Sequence, residues 1–472
     1  MVLCTHTSPT CVDGGMSIFA GNDRTFLVTE EGVLYAWGNT DHGALGIANL
    51  PVVNAYSNAV QRHITYPVWV GDPDRFDGSP VTTVACGFHH TVAVTKSGAV
   101  WAWGTGAQGQ LGTGALMQSS VPVRVAVGDR FHRDVKVVMA VCSATRTILL
   151  GVDGSVWFMG EGDKVLGPTN WTTTRLIDPD YFLGEKIVMV SVETNNDRAS
   201  VPGDVFYAVG EKGGLFMWGR WEVHGLRTII RPQKMDTMKY SPHKVVMIQS
   251  SASATHVMLN TGYVCEIGRS SSMGSTLAMG KGRLHNNTLE YPRLVRQRMF
   301  STGNSFMVSV DVDGNLYALG NTFTGAMGLG ALHTTILPVA LNMWAFHGEK
   351  FATVSCGHTH TVALTEAGHI YVWGTMGSTK LDTPTAFNFP SIGHFQPSAD
   401  SDRLLAFAQS HHDRMGEVSS AFAIAREAGI LQEFIAPLYL GGSPTCPPWL
   451  SVHAYNGICR TLGVKECMTG DT

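Results

Sequence analysis

Charge is scarce in this chain: Asp, Glu, Lys and Arg together make up 15% of 472 residues, against about 25% in an ordinary soluble protein. The formal net charge is −4 and no run of Lys and Arg stands at either end. Nucleic-acid affinity that depends on clustered cations neutralising phosphates is therefore not expected. No apolar run reaches the roughly 18 residues a membrane helix needs. The first residues, Met1 to Thr10, have no basic segment before an apolar core, and they read as neither a secretory signal nor an Arg-rich presequence. The expectation is an intracellular protein, cytoplasmic or cytoskeletal, with a nuclear setting also open. No Cys-x-x-Cys pair exists among the nine cysteines, so zinc and a disulfide framework are both unsupported. No serine elbow, His-Glu-x-x-His or P-loop is present, and the acidic residues show no paired catalytic signature, so covalent chemistry is not expected.

What the chain has is glycine, 53 residues of it, and a repeat. Gly87-Phe88-His89-His90-Thr91-Val92-Ala93-Val94-Thr95 followed by Val100-Trp101-Ala102-Trp103-Gly104 returns as Gly357-His358-Thr359-His360-Thr361-Val362-Ala363-Leu364-Thr365 followed by Ile370-Tyr371-Val372-Trp373-Gly374. A third copy runs from Gly21 to Gly38. Each copy is two apolar runs with period-two alternation joined by a polar turn, which predicts a β-hairpin. Ser97-Gly98 supplies the positive φ that a tight corner needs. Anchoring on the glycine after the second run gives seven units, ending at Gly38, Gly104, Gly160, Gly219, Gly268, Gly320 and Gly374, spaced 49 to 66 residues apart. Gly-rich tails follow five of them, clearest at Gly43-Ala44-Leu45-Gly46, Gly109-Gln110-Leu111-Gly112 and Gly325-Ala326-Met327-Gly328, and weakest at 377–381.

Seven small sheets of this size fit a closed radial array. The starts Cys86-Gly87…His90-Thr91 and Cys356-Gly357…His360-Thr361, the ends Trp103-Gly104 and Trp373-Gly374, and the tail Gly109-Gln110-Leu111-Gly112 resemble the regulator of chromosome condensation (RCC1) repeat family. The resemblance covers roughly residues 18 to 382, sharply in units one, two, six and seven. It implies an all-β fold, a seven-bladed β-propeller, here spanning 18–400, with an N-terminal tail at 1–17 and a C-terminal extension at 401–472. Residues 383–402, rich in Pro, Ser and Asp, read as a linker. A faded half-unit at 421–431 reads either as a closing strand or as a short helix.

The striking motifs have scaffold readings. Gly104-Thr105-Gly106-Ala107-Gln108-Gly109 matches a dinucleotide-binding turn, but Gly112, Gly114 and Pro122 follow where a phosphate-binding helix is needed. His90, His256 and His360 read as one repeat position, where a histidine hydrogen-bonds backbone between blades; equivalent histidines around a ring are too far apart to share a metal. His411-His412 lies outside the repeats. Gly38, Gly87, Gly104, Gly320, Gly357 and Gly374 with His90 and His360 are thus read as structural, with no catalytic, cofactor or metal site. The sequons at Asn170 and Asn286 carry little without a secretory signal. Trp69, Trp171, Trp221, Trp344 and Trp449 stand outside the repeat's tryptophan position and would anchor contacts if exposed.

Two functions follow. One is a non-enzymatic interaction scaffold or structural component of a larger intracellular assembly, cytoskeletal or ciliary among the settings. The other, implied by the resemblance, is guanine-nucleotide exchange on a Ran-type small GTPase, which works by binding the nucleotide-free partner best. In the family's exchange factor, acidic and histidine residues on one face meet the GTPase. Asp41, in the Gly-x-x-Asp-x-Gly turn, and Asp23, in Gly-Asn-Asp, are the matching positions. Unit two carries Gln108 where an acid would match, and the basic N-terminal tail of the exchange factor is lacking.

Overall fold

The computed structural model describes residues 15–47, 63–126, 135–162, 170–194, 204–222, 226–235, 243–251, 255–267, 296–330, 332–377 and 379–387. They form seven antiparallel sheets, six of four strands and one with three described strands. In each, strand order from the axis outward is chain order. Blade 1 is Ser17–Ala20, Arg24–Val28, Leu34–Asn39 and His63–Gly71. Blade 7 is Phe351–Cys356, His360–Thr365, Ile370–Met376 and Thr379–Phe387.

The predicted hairpins are the second and third strands of each blade. Their apolar residues alternate between the two faces of a sheet, and both faces are buried, because each blade is sandwiched between two others. Val92 and Ala93, neighbours in the chain, are both fully buried for this reason. The innermost strands, Ser17–Ala20, Val81–Cys86, Val137–Cys142, Ile187–Thr194, Val245–Ser250, Gln297–Thr302 and Phe351–Cys356, each pack beside the next, and the last packs beside the first. The ring is closed. Blades 1 and 7 each draw all four strands from one continuous stretch of chain.

Two readings are corrected. The segment from 383 does not begin a linker: residues 379–387 are the outer strand of blade 7, paired with Ile370–Met376 through Ile370↔Phe387 to Met376↔Thr379. Alternating Thr and apolar residues suit an exposed edge, and Pro384 is tolerated there because an outer strand has one unpaired side. His256 is not at the position of His90 and His360. Those two face the terminal glycines Gly104 and Gly374, whereas His256 faces Glu266, two residues before Gly268. The extension 401–472, the half-unit at 421–431, His411, His412, Trp449 and Asn286 lie outside the described residues.

All seven inner strands line an axial cavity of about 220 Å³, which holds a side chain or a few waters. Cys86, Cys142 and Cys356 occupy one register position, opposite Thr91, Thr147 and Thr361. Burial pushes the Cys86 thiol up to about 11 and that of Cys356 to about 12, so these sulfurs stay protonated and unreactive.

Candidate functional site

The repeat's marked residues hold one blade to the next. Each described strand-ending glycine has positive φ, and a Cβ there would strike the turn between the first two strands of its own blade: at Gly38 it would lie 2.3 Å from the Asp23 carbonyl oxygen, and at Gly104 2.3 Å from that of His89. Gly87 and Gly357 sit under the rings of His90 and His360, with a Cβ 2.5 and 2.4 Å from Cε1. The side chain opposite the strand-ending glycine reaches forward. His90 Nε2 pairs with Thr147 Oγ1 of blade 3 at 2.9 Å, and His360 Nε2 with Thr25 Oγ1 of blade 1 at 2.9 Å. The expected partner was backbone; the observed one is a hydroxyl. Arginine fills this position elsewhere. Arg24 donates to the carbonyls of Gly87 and Phe88 in blade 2, at 2.8 and 2.9 Å. Arg146 donates to Asp204 Oδ2 of blade 4 at 2.7 Å.

The Gly-rich tails are gripped in the same sense. The Ala44 carbonyl accepts from Thr91 Oγ1 (2.7 Å) and Trp103 Nε1 (2.9 Å). The Ala326 carbonyl accepts from Thr361 Oγ1 and Trp373 Nε1, both at 2.7 Å. Tight packing against the next blade explains the last glycine of these tails: a Cβ would lie 2.8 Å from Trp103 Nε1 at Gly46, 2.9 Å from Trp373 Nε1 at Gly328 and 2.2 Å from Met159 Sδ at Gly112. The run Gly104–Gly109 is one such connection, followed by turns and an outer strand at Ser119–Arg124 and not by a helix.

With these residues accounted for, one surface keeps a group of partly exposed polar and aromatic side chains. Loops joining strands one to two, and three to four, emerge on one face. Over blades 7, 1 and 2 that face carries Asp23, Asp41, His42, His63, Phe88, His89 and His358, none of them fully buried. Asp41 opens a single 3-10 turn, and His42 beside it takes a left-handed φ of 61°. That conformation is uncommon outside glycine, and it sets the His42 ring 4.1 Å from that of His89. Asp23 Oδ1 accepts from Thr359 Oγ1 of blade 7 at 3.1 Å. Phe88 meets the His358 ring edge-on at 6.4 Å.

The fields of the two carboxylates overlap here. Both raise the affinity of His63 for a proton, although burial outweighs them and lowers its pKa overall. His358 is lowered by burial against Asp23, and His89 by the shielding of its ring and then by His42. Asp41 Oδ1 is buried and accepts no hydrogen bond from the protein. Such an acceptor is costly to leave unmade and favours an incoming donor. The structure thus brings Asp23 and Asp41 to one seam. Gln108 lies apart from them, beside Asn170, whose Nδ2 it accepts at 2.7 Å. The imidazoles of His42, His63, His89 and His358 were not singled out from sequence as surface groups. The two loops of a blade that carry them are separated by a whole hairpin, and only their shared parity in the strand order marks them as neighbours. No group of three or more His, Cys, Asp or Glu among the described residues is arranged to hold a metal ion.

The regulator of chromosome condensation (RCC1) repeat model matches residues 31–94, 97–150 and 313–364, and a second model of that repeat matches 81–110 and 351–378. The ultraviolet-B receptor UVR8 of Arabidopsis thaliana is 25% identical over 79% of this chain and 80% of its own length. Among solved structures, human WBSCR16 superposes with a TM-score of 0.62 at 16% identity, over 76% of this chain and 94% of that one. Prp20p of Saccharomyces cerevisiae, described with its binding to Gsp1p and histones, gives 0.59 at 19% identity over 76% and 86%. These two likenesses show the fold. Repeat matches, seven blades and ring closure agree: the chain belongs to the RCC1-repeat family of seven-bladed β-propellers.

Proposed function

We propose that the face over blades 7, 1 and 2 docks a Ran-type small GTPase inside the cell and accelerates release of its bound nucleotide. The observation that carries this reading is the convergence of the partly exposed Asp23 and Asp41 with four accessible imidazoles on one face. The exchange it requires involves no covalent step. A surface that binds the nucleotide-free GTPase more tightly than the loaded one lowers nucleotide affinity by the same factor. Two carboxylates in a half-shielded seam suit a basic patch on the partner, and a charge-assisted bond to a buried oxygen is stronger than one in open water. Prp20p, a relative in fold, is described as binding Gsp1p, which supports a protein partner of this kind.

The test is release of fluorescent GDP from a Ran-type GTPase with this chain at catalytic concentration. Acceleration is expected, falling about tenfold or more in Asp41→Ala, as for loss of a buried charged contact. Binding of the GTPase without faster release would leave a scaffold that holds its partner unchanged. Neither binding nor release would overturn the GTPase reading and return the search to other partners of the same face.

A further inference from the structure

Three connections between blades, all on the face opposite the Asp23 seam, fold alike. They are Asp72-Pro73-Asp74-Arg75-Phe76-Asp77-Gly78, Asp178-Pro179-Asp180-Tyr181-Phe182-Leu183-Gly184 and Asn342-Met343-Trp344-Ala345-Phe346-His347-Gly348. Each is one 3-10 turn whose first side chain accepts a backbone N–H two or three residues on. In each, the phenylalanine plugs the junction below: Phe76 packs on Trp101, Phe182 on Phe216, and Phe346 on Phe351 and Tyr371. The third position points to water. It is Asp74 in the first turn and Asp180 in the second, both exposed. In the third it is Trp344, 89% exposed. The turn needs nothing of that indole, since its siblings form with a carboxylate there.

The outer strand of blade 7 packs on the turn that carries Trp344, and it ends at Phe387 on the same face. From there the chain continues to residue 472. Within that length, 421–440 contains Phe422, Ile430, Leu431 and Phe434 against only Arg426, Glu427 and Glu433 charged. A stretch of this composition gains by covering apolar surface. Blades 7 and 1 offer it no vacancy, because each is already four-stranded from its own chain. Residues 388–420, at about 3.3 Å each when extended, are long enough to reach any point on the face.

We propose that the segment 421–440 docks on the propeller face around Trp344, with that indole as its anchor. A solvent-facing tryptophan on the face from which the chain leads to an apolar segment is the pairing expected of an intramolecular interface, where a single large aromatic carries much of the binding. Tethering within one chain raises the effective concentration of the segment, so a modest contact is sufficient.

The experiment places the photo-crosslinker p-benzoylphenylalanine at position 344 of the full chain, irradiates it at low protein concentration and maps the products by mass spectrometry. Crosslinks within one chain to peptides of 421–440 are expected, with none from the same probe at Leu116, which is exposed on the opposite face. Leu431→Asp combined with Phe434→Asp should lower the yield from position 344 severalfold while the propeller's thermal transition stays. Crosslinks between two copies, crosslinks only to blade 5, no crosslinks, or a yield indifferent to the double substitution would each overturn the proposal. None of these outcomes depends on whether a GTPase binds the other face.

Discussion

Acid should loosen this propeller well above the pH at which carboxylates protonate, and the cause is three buried imidazoles. His90, His256 and His360 are 0%, 9% and 1% exposed. Burial pushes His90 down to about 3 and the other two to about 4. Each has an Nδ1 without a partner, and His90 and His360 spend Nε2 on a threonine of the next blade. In the unfolded chain these rings take up a proton near pH 6.5. Their folded pKa values are depressed, so the neutral form belongs to the fold. Their contribution is complete above pH 6.5, and it is lost as pH falls toward 4 because the unfolded state binds more protons in that window. Each proton is worth roughly 1.4 kcal/mol per pH unit. Between pH 6.5 and about 5 the three together remove about 5 kcal/mol, a large part of the roughly 5–15 kcal/mol that holds a domain folded. Guanidinium titrations at intervals across this range would give the slope of stability against pH. His360→Gln keeps a polar side chain near Thr25 but cannot take up the proton, so its slope should be shallower by one proton. A slope equal to that of the parent chain would refute the reasoning.

Other outcomes follow from single contacts. Gly46→Ala should cost about 2 kcal/mol or more in thermal or chemical unfolding, because φ is +83° and the new methyl would meet Trp103. Leu183→Gly should instead raise the melting temperature, by the equivalent of about 1 kcal/mol, since Leu183 is 67% exposed and holds φ at 54°. Arg146→Met should cost about 3–5 kcal/mol by leaving Asp204 buried without its cation, and Asp204→Leu in the same chain should recover much of that loss. Unchanged denaturation midpoints in the single variants would contradict each of these.

The hairpins were legible because both strands lie within one short stretch and bury both faces, which forces alternation and β-branching into adjacent residues such as Thr91 to Thr95. The innermost and outer strands were not. Val81–Cys86 alternates only loosely, because one side chain in two faces a narrow axial cavity that accepts small polar groups as well as apolar ones. Thr379–Phe387 looks like linker because an exposed edge tolerates Pro384 and several threonines. The glycines at 38, 104 and 374 showed themselves by periodicity, while the carbonyl each avoids could be known only from the fold. Arg24 and His90 share a position and a direction of reach, yet no property of an arginine and a histidine taken singly equates them. The candidate seam was legible in part for the same reason: Asp23 and Asp41 stand in recognisable turns, but His63 begins an outer strand and joins them only through its pairing opposite Asn39 in the same blade.

That closure is where the repeat departs most from itself, and the departure bears on the seam. At two junctions a tail carbonyl meets the next blade's tryptophan, Ala44 meeting Trp103 and Ala326 meeting Trp373. At the junction of blades 7 and 1 a tight hairpin at 376–379 replaces the tail. Trp37 Nε1 is left buried without an acceptor, and its ring stacks on Phe387 at 5.2 Å instead. Shortening that connection strips blade 7 of the loop that would otherwise stand over its neighbour. His63 packs under Gly377, where a Cβ would lie 2.7 Å from the imidazole ring, and the face beyond it stays open to Asp23, Asp41 and the imidazoles around them. Blade closure by stacking in place of a loop therefore gives up one backbone clasp, and it leaves accessible the seam where Asp23, Asp41 and the imidazoles collect.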